Sequence, residues 1–206
     1  MKPRANDALW IGTAFGAALL VALVILCLRG ATGGSVSLAL AMTARIGFLL
    51  FWPAYAAGAL VVLFGQAFQP LKTVARELGL AFVGVLTVHL SLVGLLCVVA
   101  KAPAAGVFEF FGGAAACAYL LAIFSFDPFR RMLGAAQWRL LSFVAMNYLA
   151  YAFFKDFTNP QLFQNFKMTL FYLPFLLLAI AGPSLRLTAF VVRLAHDRLE
   201  LHRRKT

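Results

Sequence analysis

The sequence predicts an all-α, polytopic membrane helical bundle: six transmembrane helices, both termini in the cytoplasm, and a C-terminal amphipathic helix. Three observations carry this. Of the 206 residues, 63% are hydrophobic and 12% charged, about half the charged share of a soluble domain, and the mean hydropathy is +0.91. The apolar residues fall in runs, several of them at or above the ~20 residues a helix needs to cross a bilayer. The 18 lysines and arginines gather between those runs, and with the N-terminus inside 13 of them fall on cytoplasmic segments and 4 on outer loops. That bias orients membrane proteins. The net charge of +11 therefore reads as basic cytoplasmic loops. It implies a lipid bilayer as partner and no nucleic acid.

The elements follow in order. After the basic start MKPRAND, helix 1 covers Ala8–Leu28. Its apolar core is longer than a signal peptide's and no small-residue cleavage site follows. The stretch GTAFG places Gly12 and Gly16 at a spacing used for close helix packing. RGATGGS is a turn-rich loop. Helix 2 covers Leu38–Phe64, with Arg45 expected to snorkel toward headgroups and Pro53 expected to kink the span. GQAFQPLKTVARE is a polar connector.

Helix 3 covers Leu78–Ala100 and helix 4 Val107–Phe126, the latter with Gly112 and Gly113 as further close-packing positions. The basic loop DPFRRMLGAAQWR leads to helix 5, Leu140–Phe154, and a polar turn leads to helix 6, Met168–Ala181. Gly182-Pro183 marks a kink or stop. The chain thus divides into a six-helix transmembrane domain, 1–185, and a basic cytoplasmic tail, 186–206. The tail alternates apolar and basic residues at helical spacing, which suits an anionic leaflet.

Chemistry-bearing residues are few. No GxGxxG follows a strand, no P-loop is present and no carboxylate pair lies within a span. Cys27, Cys97 and Cys117 all lie in apolar runs and read as free, buried small side chains. A transporter would carry more intramembrane charge or broken helices than Arg45, Pro53 and Pro174 supply. The exception is His89, about 11 residues into helix 3 and therefore roughly 16 Å deep. An imidazole in hydrocarbon needs a partner for its N–H, and its other nitrogen can bind a metal. It is either a structural hydrogen-bonding group or an axial ligand to haem iron. Ser142, Met146 and Asn147 on helix 5 are the candidate partners across the bundle.

Two blocks resemble the ferric-reductase-like transmembrane family, which includes the haem-bearing membrane subunit of the bacterial methionine-sulfoxide reductase system. The first is TARIGFLLFWPAYAAGAL followed by QPLKTVARELGLAFVGVLTVHL, in which Arg76, Gly79 and His89 match the family's arginine, glycine and histidine. The second is SFDPFRRMLGAAQWRLLS, in which Ser125, Asp127, Arg130, Arg131, Leu133, Gly134, Trp138, Arg139 and Leu141 fit the loop before helix 5. The resemblance implies a b-type haem domain in the bacterial inner membrane, the membrane component of an oxidoreductase, passing electrons with a separate redox partner. It also implies His89 as haem ligand. Where the family carries its next histidines, this chain has Ser142 and Lys155, and the loop GAAQW is one residue longer. A single haem b would then take His89 with Met146, one turn beyond Ser142, as second ligand. The alternative is a haem-less structural or accessory subunit of a membrane complex, with no cofactor.

Overall fold

The computed structural model describes residues 5–100, 102–159 and 166–203, all-helical among them and without a strand. The basic start, Lys101, the segment 160–165 and the last three residues lie outside the described residues. Helix α1 runs Ala5–Arg29, α2 Gly33–Phe64, α3 Gln69–Thr73, α4 Ala75–Val99, α5 Ala105–Phe124, α6 Asp127–Arg130, α7 Ala135–Phe157 and α8 Phe166–Arg203. Five of these, α1, α2 with its α3 extension, α4, α5 and α8, are long and apolar enough to cross a membrane. The protein is thus a multi-pass helical bundle. Helix α7 has the length, 23 residues or roughly 34 Å, but Asn147, Lys155 and Asp156 dilute its apolar character.

Several boundaries move from the sequence reading, each for a local reason. Helix α2 starts five residues earlier because Thr32 and Ser35 form a reciprocal cap. Ser35 N–H donates to Thr32 Oγ1 at 3.4 Å, and Thr32 N–H donates to Ser35 Oγ at 3.0 Å. Two helix-start donors are satisfied in this way. Pro53 is carried inside α2 without ending it, and Gly65, at φ 76°, closes it. The connector after it is helical: a 3₁₀ turn over Gly65–Phe68, then α3 with Pro70 in its first turn, where the missing N–H costs nothing. Gly182-Pro183 does not stop α8, which runs through both Pro174 and Pro183 into the basic tail.

Helix α2 is the axis of the bundle. Half of its spanning window is buried, 50%, against 11% for α1. Its Phe48, Phe51 and Tyr55 join Phe82 of α4, Phe157 of α7 and Tyr172 of α8 in the main core. The Phe48 and Phe157 rings meet edge to face at 4.9 Å, an arrangement worth about 0.5–1.5 kcal/mol beyond the buried area. A second cluster joins Ala18 and Ala22 of α1 to Ala39 of α2 and Val85, Val88 and Leu92 of α4.

The close-packing glycines are largely different ones from those the spacing suggests. A Cβ at Gly12, Gly16 or Gly112 would meet nothing, while one at Gly113 would lie 2.9 Å from Tyr148 Oη. The tight α1–α4 crossing is made by Gly84, where a Cβ would sit 2.6 Å from the Ile11 carbonyl oxygen. Backbone there touches backbone, which only glycine permits.

One end of the bundle is basic and carries an ion pair. Arg76 Nη1 and Nη2 donate to the two carboxylate oxygens of buried Asp7 at 2.7 and 3.0 Å, and Arg76 Nε donates to the Ser125 carbonyl at 3.2 Å. This clips the start of α1 to α4 and to the end of α5 with charge-assisted bonds.

Candidate functional site

Two cavities lie along the bundle. The larger, about 850 Å³, is walled by α2, α4, α5, α7 and Tyr172 of α8, and His89 is part of its lining. The smaller, about 220 Å³, lies toward the basic end between α2, α4, α5 and α7, and Ser142 and Met146 line it. Phe82 and Leu149 belong to both walls. Between the two spaces stand the rings of Phe51, Phe82 and Phe153, with centroids 5.3 to 5.9 Å apart.

His89 is half-buried and bonds to α2. Its Nδ1 lies 2.9 Å from Thr43 Oγ1. Thr43 is 1% exposed, and its hydroxyl donates back to the carbonyls of Ala39 at 3.0 Å and Leu40 at 3.1 Å. A hydroxyl has one hydrogen to give. With that hydrogen engaged by the backbone, the oxygen accepts from His89 Nδ1–H. This arrangement selects the tautomer that leaves the lone pair on Nε2, as in metal-bound histidines whose other nitrogen is held by a neighbour.

None of the helix 5 candidates, now on α7, partners His89. Asn147 Oδ1 accepts from Tyr55 Oη–H at 2.9 Å, and Asn147 Nδ2 donates to the Phe143 carbonyl at 2.6 Å. Ser142 Oγ is buried with no partner. The structure does not bring Met146 to His89. The reason is depth along one helical face: Trp138, Ser142, Met146, Leu149, Phe153 and Asp156 follow at intervals of three or four, which is one face of α7. The first four of these meet the smaller cavity, and Leu149, Phe153 and Asp156 meet the larger. Met146 is on the right face and too near the basic end. Lys155 is exposed and lines neither cavity.

Sequence reasoning missed three side chains here. Thr43 gives no signal, since a threonine in an apolar helix ordinarily just bonds to the preceding turn. Asp156, beside the exposed Lys155, faces the larger cavity. Arg45 does not snorkel: it is 6% exposed, with its guanidinium carbon 4.0 Å from the Phe171 ring centroid, 4.3 Å from Tyr172 and 5.6 Å from Phe175. These α8 rings supply the cation–π contacts that replace water around a buried guanidinium. Among the described residues no three His, Cys, Asp or Glu side chains gather as a metal cage.

What the larger cavity can do chemically follows from its lining. Its volume is within the range of small-molecule and cofactor sites, about 300–1,000 Å³. Its walls are mostly aliphatic and aromatic, with Ser37, Thr43, His89, Asp156, Asn159 and Tyr172 as the polar exceptions. It can hold a large apolar group and offer that group one oriented imidazole. No family model, no curated protein and no solved structure matches the chain.

Proposed function

We propose that the protein is a membrane electron-transfer subunit of the ferric-reductase-like kind. His89 Nε2 would hold one haem b in the larger cavity, and the protein would work with a separate redox partner. The observation that carries this is the Thr43–His89 bond on the wall of an 850 Å³ apolar cavity. An imidazole with one nitrogen fixed by a hydroxyl and the other left to a cofactor-sized space is built as a ligand. The order of Arg76, Gly79, His89 and the SFDPFRRMLGAAQWR block supports the family reading. Bound haem would supply a one-electron iron couple. The chain's own residues hold and orient it: His89 gives the lone pair, Thr43 fixes the ring plane, and the aliphatic walls exclude water. Met146 is no partner to that iron, because it lines the other cavity. In this reading α7 is the sixth span, the basic end faces the cytoplasm, and the protein resides in a bacterial inner membrane.

The haem-less accessory subunit stands as a second reading, favoured by the absence of a second ligand candidate of the family's type at Ser142 and Lys155. Visible spectroscopy on the full chain, purified after haem-replete expression, separates the two. A b-type spectrum at one haem per chain that shifts on dithionite reduction and is lost in His89→Ala supports electron transfer. A folded protein without that spectrum sinks it.

A further inference from the structure

The smaller cavity carries an inference that owes nothing to the haem reading. Helical serines and threonines in this chain turn their hydroxyls back onto their own helix. Thr13, Ser37, Thr43, Thr87, Ser91, Ser125, Thr158, Ser184 and Thr188 each donate to the carbonyl four residues earlier. Ser142 does not: its Oγ is buried, has no partner and belongs to a residue lining the cavity. A buried hydroxyl without a partner costs about 1–3 kcal/mol. Here that hydroxyl declines the bond its neighbours make, which asks for an acceptor from the cavity.

The cavity's shape and charge select that acceptor. At about 220 Å³ it has room for roughly seven water-sized atoms, enough for a stretch of acyl chain and too little for a porphyrin. Apart from Ser142, Ser125 and the basic and indole side chains at its mouth its walls are apolar, with Leu80, Val83, Leu121 and Leu149. The mouth is basic. Arg130 lies 5.5 Å from the Trp138 ring and both line the opening, with exposed Arg139 next along α7. The other mouth arginine, Arg76, is already matched by Asp7. The nearby acids, Asp7, Asp127 one turn before Arg130, and Glu77, 4.0 Å from Arg76, stand outside the lining, and the charged side chains that line the cavity itself are Arg76 and Arg130. Trp138 and Ser142 are four residues apart, about 6 Å along the helix, comparable to the span between a lipid's phosphate and its ester carbonyls.

We infer that the smaller cavity binds one anionic glycerophospholipid, with its phosphate at Arg130, an ester carbonyl accepting from Ser142 Oγ–H and an acyl chain in the apolar floor. Basic pockets between membrane helices are recurrent sites for anionic headgroups.

The test is native mass spectrometry of the full chain released from nanodiscs made of phosphatidylglycerol and phosphatidylcholine, matched in chain length and mixed in equal amounts. One retained phosphatidylglycerol per chain, preferred about fivefold or more, is the expected result. Ser142→Leu fills the cavity and should abolish retention at unchanged Tm. Should that variant melt early, Ser142→Ala keeps the test, with retention down about fivefold. Arg130→Gln should erase the preference for the anionic lipid while leaving a lipid bound. Equal retention in wild type and both Ser142 variants overturns the proposal, as does equal binding of the two lipids. Displacement of the lipid by millimolar inorganic phosphate would also overturn it, since the site would then read a free anion.

Discussion

Helix α7 turns Phe153 and Asp156 toward a space of about 850 Å³, and the same face, two turns nearer the basic end, turns Ser142 and Met146 toward one of about 220 Å³. At the first, the polar group on the opposite wall is an imidazole already fixed by Thr43. At the second, the polar group is a hydroxyl with nothing to bond. Three phenylalanine rings separate them. The same helical face thus serves a pre-oriented site and an unsatisfied one. The difference is set by what α2 and α4 present across from it. At the histidine end α2 offers Thr43. At the serine end it offers Phe51 and Ala54, which have nothing for a hydroxyl.

Substitutions can break this contrast. The largest effect belongs to His89→Ala, which should remove the b-type absorbance entirely, while Met146→Leu leaves it intact. Loss of the spectrum in Met146→Leu would mean that the two cavities share one ligand. Next is Phe153→Ala, which deletes the ring between the spaces. Thermal unfolding in detergent should show a loss of about 3–5 kcal/mol, and any lipid or haem bound should be held more loosely. An unchanged Tm would show that the rings are not a packed partition. Thr43→Val keeps the shape and removes the acceptor for His89 Nδ1–H. Haem affinity should fall at least tenfold, in the range of such outer partners, and Thr43→Ser should restore it. The smallest effect is that of Met146→Leu on stability, under about 1.5 kcal/mol for a volume-conserving change.

Much of the bundle was legible because bilayer thickness writes itself into run length. Four of the six long helices contain the runs read from composition whole, and α4 and α5 end one and two residues before theirs do; the basic clusters mark the ends. The depth of residues along those runs was not legible. In a span that is apolar all round, periodicity has little contrast, so a residue's face and its level against neighbouring helices are undetermined. That is why the sequence offers α7 instead of α2 as the partner of His89, and why Met146, on the correct face, lines the smaller cavity and not the one that His89 lines. The glycines failed for a related reason. Gly12 and Gly16 have the spacing of a packing motif, yet the contact was made at Gly84, which has no such partner and is revealed only by the backbone it touches. Arg45 was misplaced because the rings that enclose it come from α8, more than a hundred residues away.

Helix α8 is unbroken over 38 residues, about 57 Å of rod against a hydrocarbon layer of about 30 Å. Pro174 and Pro183 both lie inside it without ending it. It is gripped where Trp52 Nε1–H donates to the Leu178 carbonyl at 2.6 Å, where Gly182 fits against Trp52 and Tyr55, and where Arg186 lies 4.4 Å from the Tyr55 ring. That grip is a fulcrum. Nearly half of the helix extends past the thickness of the layer as a lever arm, with Arg193 and Arg198 toward its tip. A load applied there would be felt as torque at Trp52 and Tyr55, one and two turns beyond Phe48, whose ring packs against Phe153 of the partition.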